Sequence, residues 1–339
     1  MRAALNGVAL NRLSVNIQEQ RNNSRELQSM DVFPKISLFP LIALLLMACS
    51  NSNISEAAQP TNIVDATGTI VMLARPATRI ISLGPSNTEI LFALDAGTKI
   101  VGVDDFSNYP IEATTIEKVG APFPSFDLER IVFLKPDLVI STELAEFNTT
   151  LRGLTIPVYV SNPQDIEEVF KVINDIGILI HHSEKASTLT AQMSLRISNV
   201  QALTANSAAT KVFYEVDASD PTRPYTVGAP SFVTDIIAIS GGTNIFNDVG
   251  IAYPQVSLEE VVARDPDFIL LADAYAPVNP QSIETAARRP GWKSIAAVKA
   301  GNMVPVNPDI ISRPGPRLAD GIESLAELLH PHLFIDAES

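Results

Sequence analysis

Phe126-Asp-Leu-Glu-Arg-Ile-Val-Phe-Leu-Lys-Pro-Asp-Leu-Val-Ile140 and Val256-Ser-Leu-Glu-Glu-Val-Val-Ala-Arg-Asp-Pro-Asp-Phe-Ile-Leu270 stand 130 residues apart and follow the same plan. In each, a Leu-Glu pair opens a short amphipathic helix, Pro136-Asp137 or Pro266-Asp267 ends it, and a run of β-forming residues follows as a buried strand. A second echo precedes each copy. Pro85-Ser86 leads through Leu91-Phe-Ala-Leu94 to Gly97-Thr-Lys-Ile100, and Pro230-Ser231 leads through Ile236-Ile-Ala-Ile239 to Gly242-Thr-Asn-Ile245. Matched parts in matched order predict an α/β chain of two similar lobes that face each other, with a ligand cleft between them.

Composition sets the limits of function. With 339 residues, 46% of them hydrophobic, the chain has room for two globular lobes. The formal charge is −14, and the segment before Cys49 holds five basic and three acidic residues, so the remainder carries about −16. Bulk charge of this sign excludes a nucleic-acid binder and disfavours adsorption to anionic lipid, so membrane attachment requires an anchor.

The N-terminus supplies a candidate for one. Ile36 to Ala48 is an apolar run of signal-peptide length, too short for a membrane span, and the single cysteine follows it. Leu46-Met-Ala-Cys49 resembles the bacterial lipobox, in which the cysteine is diacylated and becomes the mature N-terminus, and two acyl chains anchor stably. Residues 1–48 are therefore expected to be a signal peptide with an N-terminal extension, Met30 being a possible true start. Residues 49–74 are expected to be the lipidated Cys49 and a flexible tether. With no second cysteine, no intramolecular disulfide is available.

Downstream, 75–163 is expected to be the N-terminal lobe, with strands at Arg79–Leu83, Lys99–Val103 and Thr155–Val160. Ser86-Asn-Thr-Glu89 has the capping-box pattern and is expected to open a helix from Thr88. Residues 164–206 are expected to be helical. Ala186, Leu189, Met193, Ile197, Val200 and Leu203 form one apolar stripe along a helix of about twenty residues, roughly 30 Å, long enough to bridge two lobes. Residues 207–339 form the C-terminal lobe, closed by a helix over Arg317–Leu329.

The chemistry is that of binding. Among sequence motifs there is no Gly-x-Ser-x-Gly elbow, no phosphate-binding loop and no dinucleotide fingerprint. The four histidines, His181, His182, His330 and His332, fall outside the expected lobe-tip loops, which argues against a zinc or manganese receptor. Those tips carry aromatics instead: Tyr109, Phe123, Phe126, Tyr225, Tyr253 and Trp292. Aromatic faces suit flat apolar ligands. Arg313, in the Pro-rich loop Arg313-Pro-Gly-Pro-Arg317, is expected to meet a ligand carboxylate or phosphate, and Arg317 to serve the following helix or a structural pair.

Several ordered motifs resemble one family. Arg79-Ile-Ile-Ser-Leu-Gly-Pro-Ser-Asn-Thr-Glu-Ile-Leu-Phe-Ala-Leu94, Val101-Gly-Val with Ser107-Asn-Tyr-Pro110, Asp127-Leu-Glu-Arg-Ile131 with Lys135-Pro-Asp-Leu-Val139, and Tyr253-Pro-Gln-Val-Ser-Leu-Glu259 closely resemble the cobalamin and ferric-siderophore substrate-binding proteins of ABC importers. The likeness spans roughly 75 to 335. It implies two Rossmann-like lobes joined by a single long α-helix, moving little on binding, and no enzymatic activity. It also implies that Glu129 and Glu259 dock the permease, and that Tyr109, Tyr253 and more loosely Phe123 stack on the ligand. The full set of expected ligand contacts is Tyr109, Phe123, Tyr253, Pro85, Ser86, Trp292 and Arg313, with no catalytic residue, metal ligand or cofactor. Thr142 or Glu143 and Val216 stand where the vitamin B12 receptors have further aromatics, leaving a more acidic cleft. That departure weakens cobalamin against haem or a ferric siderophore, whereas the first segment and Tyr253-Pro-Gln-Val-Ser lean to the cobalamin branch. The expected partners are thus cobalamin, or a ferric siderophore or haem, with the transmembrane subunits of an ABC permease. The chain is expected to be an extracytoplasmic monomer held to the membrane by its lipid. A corrinoid- or tetrapyrrole-modifying enzyme is the competing class.

Overall fold

The structure, a computed structural model, describes residues 60–276 and 279–334. Cys49, Met30 and the apolar run of the expected signal peptide lie outside the described residues. The tether expected through residue 74 does not hold past Thr61. There the chain forms an antiparallel hairpin of β1 (Thr61–Val64) and β2 (Ile70–Leu73), with Thr61 opposite Leu73. Asp65 shapes its turn. One carboxylate oxygen accepts the N–H groups of Thr67 and Thr69 at 2.9 and 3.0 Å, and the other pairs with Arg152 at 2.7 Å. The Ala66 N–H donates to the Val160 carbonyl, which docks the hairpin on the first lobe.

That lobe runs β3 (Ile80–Ser82), α1 (Pro85–Ala93), β4 (Ile100–Val103), α2 (Leu128–Phe133), β5 (Leu138–Ser141), α3 (Ala145–Gly153) and β6 (Val158–Val160). Its strands pair in parallel in the order β4-β3-β5-β6, as short βαβ crossovers require. Both sheet faces are covered, and alternate residues divide between them. Ile80, Leu138, Ile140 and Tyr159 enter one core, and Ile81, Val139, Val158 and Val160 the other. Two helices follow, α4 (Ile166–Leu179) and α5 (Ser183–Thr204).

The second lobe contains β7 (Thr210–Asp217), β8 (Tyr225–Thr226), α6 (Phe232–Ile239), β9 (Gly242–Asn244), α7 (Leu258–Arg264) and β10 (Phe268–Leu271). It ends with α8 (Ile283–Ala287), α9 (Ala296–Ala300), β11 (Met303–Pro305), α10 (Pro308–Ile311) and α11 (Leu318–Leu329). Here β11-β10-β7 is parallel. β9 lies along the N-terminal part of β7, and β8 runs antiparallel along its C-terminal part.

Helix α5, 22 residues and roughly 33 Å long, packs on α4 of the first half and on α6 and α11 of the second. Ala186, Met193, Ile197 and Val200 of the expected stripe are buried, whereas Leu203 is exposed and Thr204 takes its place inside. Arg196 fixes α5 to α11 through Glu323 and Asp320, the Asp320 contact being 2.6 Å.

The repeated Pro-Asp has a structural job in both lobes. Asp137 accepts the N–H groups of Thr78 and Arg79 at 3.0 and 2.8 Å and donates its own N–H to the Arg79 carbonyl. Asp267 does the same to Lys211, accepting at 2.9 Å and donating at 2.8 Å. Each aspartate staples the start of β5 or β10 to the entry of the neighbouring strand, β3 or β7. The second echo is looser. Pro85 is the first residue of α1 after Gly84, whereas Ser231 is the N-cap of α6 and accepts the Thr234 N–H. Gly84 is required where it stands, because its φ is +132° and a Cβ would meet Thr142 Cγ2 at 2.9 Å.

Candidate functional site

Ligands of open α/β sheets bind beyond the carboxyl ends of the strands, and both sheets place their polar and aromatic candidates there. After β4, the buried Asp104 accepts the Gly84 N–H at 2.8 Å and the Ser107 hydroxyl at 2.6 Å. Lys118 donates to the carbonyls of Asp104 and Ser107. This lattice fixes the loop that carries Asn108 and Tyr109. Tyr109 is about half exposed, and the Arg317 guanidinium lies 4.0 Å from its ring centroid.

Arg317 does not act alone. It binds Glu89 through two bonds of 2.8 and 2.7 Å, and Arg313 reaches the same carboxylate at 3.0 Å. Arg313 also donates to Asn108 at 2.8 Å and pairs with Asp309 at 2.8 Å. Glu89 belongs to α1 of the first lobe and both arginines to the Pro-rich loop of the second, so one buried carboxylate clamps the lobes together. Bidentate bonding to Glu89 holds the Arg317 pKa above its usual value, against the cost of burial. The expected capping role of Glu89 is therefore wrong: α1 begins at Pro85, and Glu89 lies a turn inside it, 3% exposed. The capping box occurs instead at Ser257 and Glu260 of α7. Arg313, expected to meet a ligand anion, has its charge taken up by Glu89 and Asp309. Arg317 makes the structural pair expected of it.

Tyr253 is also about half exposed. Its loop is laced to β8 by the Thr226 N–H on the Pro254 carbonyl and the Val256 N–H on the Pro224 carbonyl. Beside it opens a cavity of about 460 Å³ lined by Tyr214, Val216, Tyr253, Asp273, Tyr275, Asp309 and Ser312, among others. Asp309 thus joins the arginine clamp and Tyr109 to the cavity of Tyr253. Phe123 is 89% exposed on the loop before α2. Pro85 and Ser86 lie under the Pro-rich loop, where a Cβ on Gly315 would sit 3.6 Å from Ser86. Tyr275 was not singled out in the sequence. Its signal was its place just past the strand run Phe268–Leu271, at the same end of the sheet as the other candidates.

Trp292 corrects the expectation that it meets the ligand. It is fully buried in the second-lobe core, edge-on to Phe213 with centroids 6.1 Å apart and under the Arg289 guanidinium at 4.5 Å. Phe126 is likewise core, tilted against Phe147. Neither side chain offers a face to the cleft.

Glu129 and Glu259 occupy equivalent sites. Each is the second residue of its helix, after N-caps Asp127 and Ser257 that accept the Arg130 and Glu260 N–H groups. Both are exposed, and among the described residues neither forms an ion pair or side-chain hydrogen bond. A side chain at that position lies beside the positive end of the helix dipole, a setting that suits a carboxylate without an internal partner.

The model of the periplasmic binding protein family matches residues 80–309. The chain is 34% identical over 311 residues to an uncharacterized ABC transporter substrate-binding lipoprotein, YvrC, of Bacillus subtilis, covering 87% of this chain and 96% of the relative. It is 30% identical over 266 residues to a vitamin B12-binding protein of Vibrio cholerae, covering 75% and 90%. A solved structure described as a possible iron-binding, periplasmic solute-binding protein of Staphylococcus epidermidis superposes with a TM-score of 0.66 at 28% identity, covering 76% of this chain and all of that one. Two α/β lobes, each built on a core of parallel strands, and a match over most of the folded chain agree: the chain belongs to the periplasmic binding protein family, as an ABC-type substrate-binding protein.

Proposed function

We propose that this chain is the lipid-anchored receptor of an ABC importer for cobalamin or a related corrinoid, and that it performs no chemistry on its ligand. The observation that carries the receptor reading is the matched pair of exposed glutamates, one on the same short helix of each lobe and neither with a side-chain partner among the described residues. Two carboxylates related by the internal repeat complement a permease built from two like subunits, and their rim position lends itself to charge-guided docking. The ligand reading is supported by the exposed tyrosines beyond the strand ends and by the name of the Vibrio cholerae relative. The large flat ligand stacks on Tyr109 and Tyr253, with the exposed Phe123 as a third, more loosely matched aromatic contact. ATP is hydrolysed on separate subunits, and docking supplies the energy of ligand release. The lipid reading rests on Leu46-Met-Ala-Cys49 and on the name of the Bacillus subtilis relative.

The test is double charge reversal, Glu129→Lys with Glu259→Lys. Uptake by cells should be abolished while ligand affinity of the purified protein stays within about twofold of wild type; unchanged uptake would refute the docking roles. An iron-chelate receptor is the second reading, favoured by the description of the Staphylococcus epidermidis structure.

A further inference from the structure

The short helices that carry Glu129 and Glu259 differ in what surrounds those glutamates. On α2, Val132 and Phe133 follow Glu129 by three and four positions, and at about 100° per residue Glu129 falls between them on one side of the helix. Val132 is 45% exposed and Phe133 71%, whereas Ile131 is fully buried and anchors the helix to the first-lobe core. Helical side chains lean back over the preceding turn, which sets the Phe133 ring beside Glu129. Arg130 flanks that ring, 5.7 Å from its centroid, and its own charge is met by Glu117 at 2.7 Å. An apolar face with a carboxylate in its middle therefore stands open to solvent on the first lobe.

The repeat does not reproduce this face. Val262 and Ala263 hold the matching positions of α7. Val262 is half-buried under the turn at Gly291, where a Cβ on the glycine would stand 3.1 Å from its Cγ2, and the exposed Ala263 offers only a methyl group. Glu260, in the place of Arg130, is tied into the capping box, and Arg264 is bound to Asp248. Among the described residues, α7 exposes no large apolar side chain. The two lobes thus share the carboxylate and differ in the apolar surface around it.

We propose that Phe133, with Val132, is the apolar anchor by which the first lobe leads docking, seated in an apolar recess of one transmembrane permease subunit beside the cation that meets Glu129, while α7 makes a charge contact alone. The inference rests on the docking reading above and goes beyond it, because the two glutamates by themselves predict equal contacts from both lobes. Complementarity selects the occupant. A bare lipid surface suits the face poorly, since Glu129 and Glu117 stand on or beside it and the chain as a whole is strongly acidic. A second copy packed through the same face would set one Glu129 near the other. A protein surface with a cation beside an apolar pocket satisfies ring and carboxylate together. Aromatic anchors of this kind dominate interface energetics, and the water they exclude strengthens the neighbouring ion pair. An ion pair at a wet rim chiefly speeds encounter, whereas a seated ring slows departure.

The experiment uses the full-length chain in the cells that naturally make it, with the photo-crosslinker p-benzoylphenylalanine in place of Phe133 or, separately, of Ala263. Adducts formed on irradiation are identified by peptide sequencing, so the result does not depend on which ligand is carried. The crosslinker at position 133 should attach to a transmembrane subunit of an ABC importer. With the crosslinker at 263 as reporter of docking, Phe133→Ser should lower the yield of its adduct about tenfold. Leu195→Ser, which removes an equally exposed apolar side chain from α5, should leave that yield unchanged. Attachment at 133 without attachment at 263 also supports the proposal, as a first lobe that docks the more firmly. An adduct at 263 that Phe133→Ser does not diminish, or that Leu195→Ser diminishes as much, overturns the anchor and leaves the docking reading standing. So does attachment of position 133 to lipid or to a second copy while position 263 attaches to a transmembrane subunit. Absence of such a subunit from the adducts of both positions overturns the docking reading together with the anchor.

Discussion

Replacing Glu89 by alanine tests whether the inter-lobe clamp is a stability element. The carboxylate side chain is 2% exposed and receives three bonds from two guanidinium groups that are themselves 15% and 16% exposed. Removing one partner of such a buried pair typically costs about 3–5 kcal/mol, because the remaining charge is left uncompensated. Arg313 keeps Asp309 and Asn108, and Arg317 keeps the Tyr109 ring, which places the loss near the lower end, about 3 kcal/mol. For a unit of this size that is a fall in melting temperature of roughly 6–12 °C. The control is Arg196→Ala on α5, whose pairs with Asp320 and Glu323 are 39% or more exposed and so contribute about 1 kcal/mol or less. Scanning calorimetry of the two variants reads the difference directly. Equal, small shifts would show that Glu89 is solvated in solution and that the lobes are not clamped. Tyr109 lies under Arg317, so Glu89→Ala should also weaken ligand binding, whereas Arg196→Ala should not.

Trp292→Ala should destabilise the protein by about 3–5 kcal/mol, measured by denaturant unfolding; a ligand-contacting tryptophan would instead lose affinity at nearly unchanged stability. Tyr109→Ala and Tyr253→Ala should each weaken ligand binding by about 1–2 kcal/mol, roughly 5–30-fold in Kd. Asp273 contributes stability in its protonated form, because its folded pKa of about 7 exceeds that of an unfolded aspartate, about 3.9. This contribution is complete below about pH 4 and is lost as pH rises to about 7. Melting temperatures across pH 4 to 8 should therefore show a decline between about pH 4 and pH 7 that Asp273→Asn flattens; identical profiles would place Asp273 in a more solvated setting.

The repeat made the lobes legible, since helix, Pro-Asp and buried strand recur in one order, and α7 begins and ends where its sequence pattern predicts. Hydrophobic periodicity likewise located α5. What escaped depended on partners remote in sequence. The Ser-x-x-Glu pattern at Ser86–Glu89 looks like a cap, and only the arrival of Arg313 and Arg317, more than 220 residues later, shows Glu89 to be a clamp. The β1–β2 hairpin escaped because its two strands are only four residues each and follow directly on a polar tract, and Val64, Ile70 and Met72 point outward. Trp292 could not be assigned to core or cleft from local sequence, because an aromatic serves both. Asp273 gave no local signal: its oxygen is unpaired while Arg289, of the same lobe, is bound to Glu215, 74 residues away from it in sequence.

The central claim is that this chain captures a corrinoid, and calorimetric titration of the full-length protein in detergent with cyanocobalamin tests it most directly. The account predicts saturable one-to-one binding at micromolar or tighter affinity, with a negative heat-capacity change from burial of the tyrosine faces. A flat titration of folded protein would contradict it, and saturable binding of haem or a ferric siderophore by the same sample would give the receptor a different ligand.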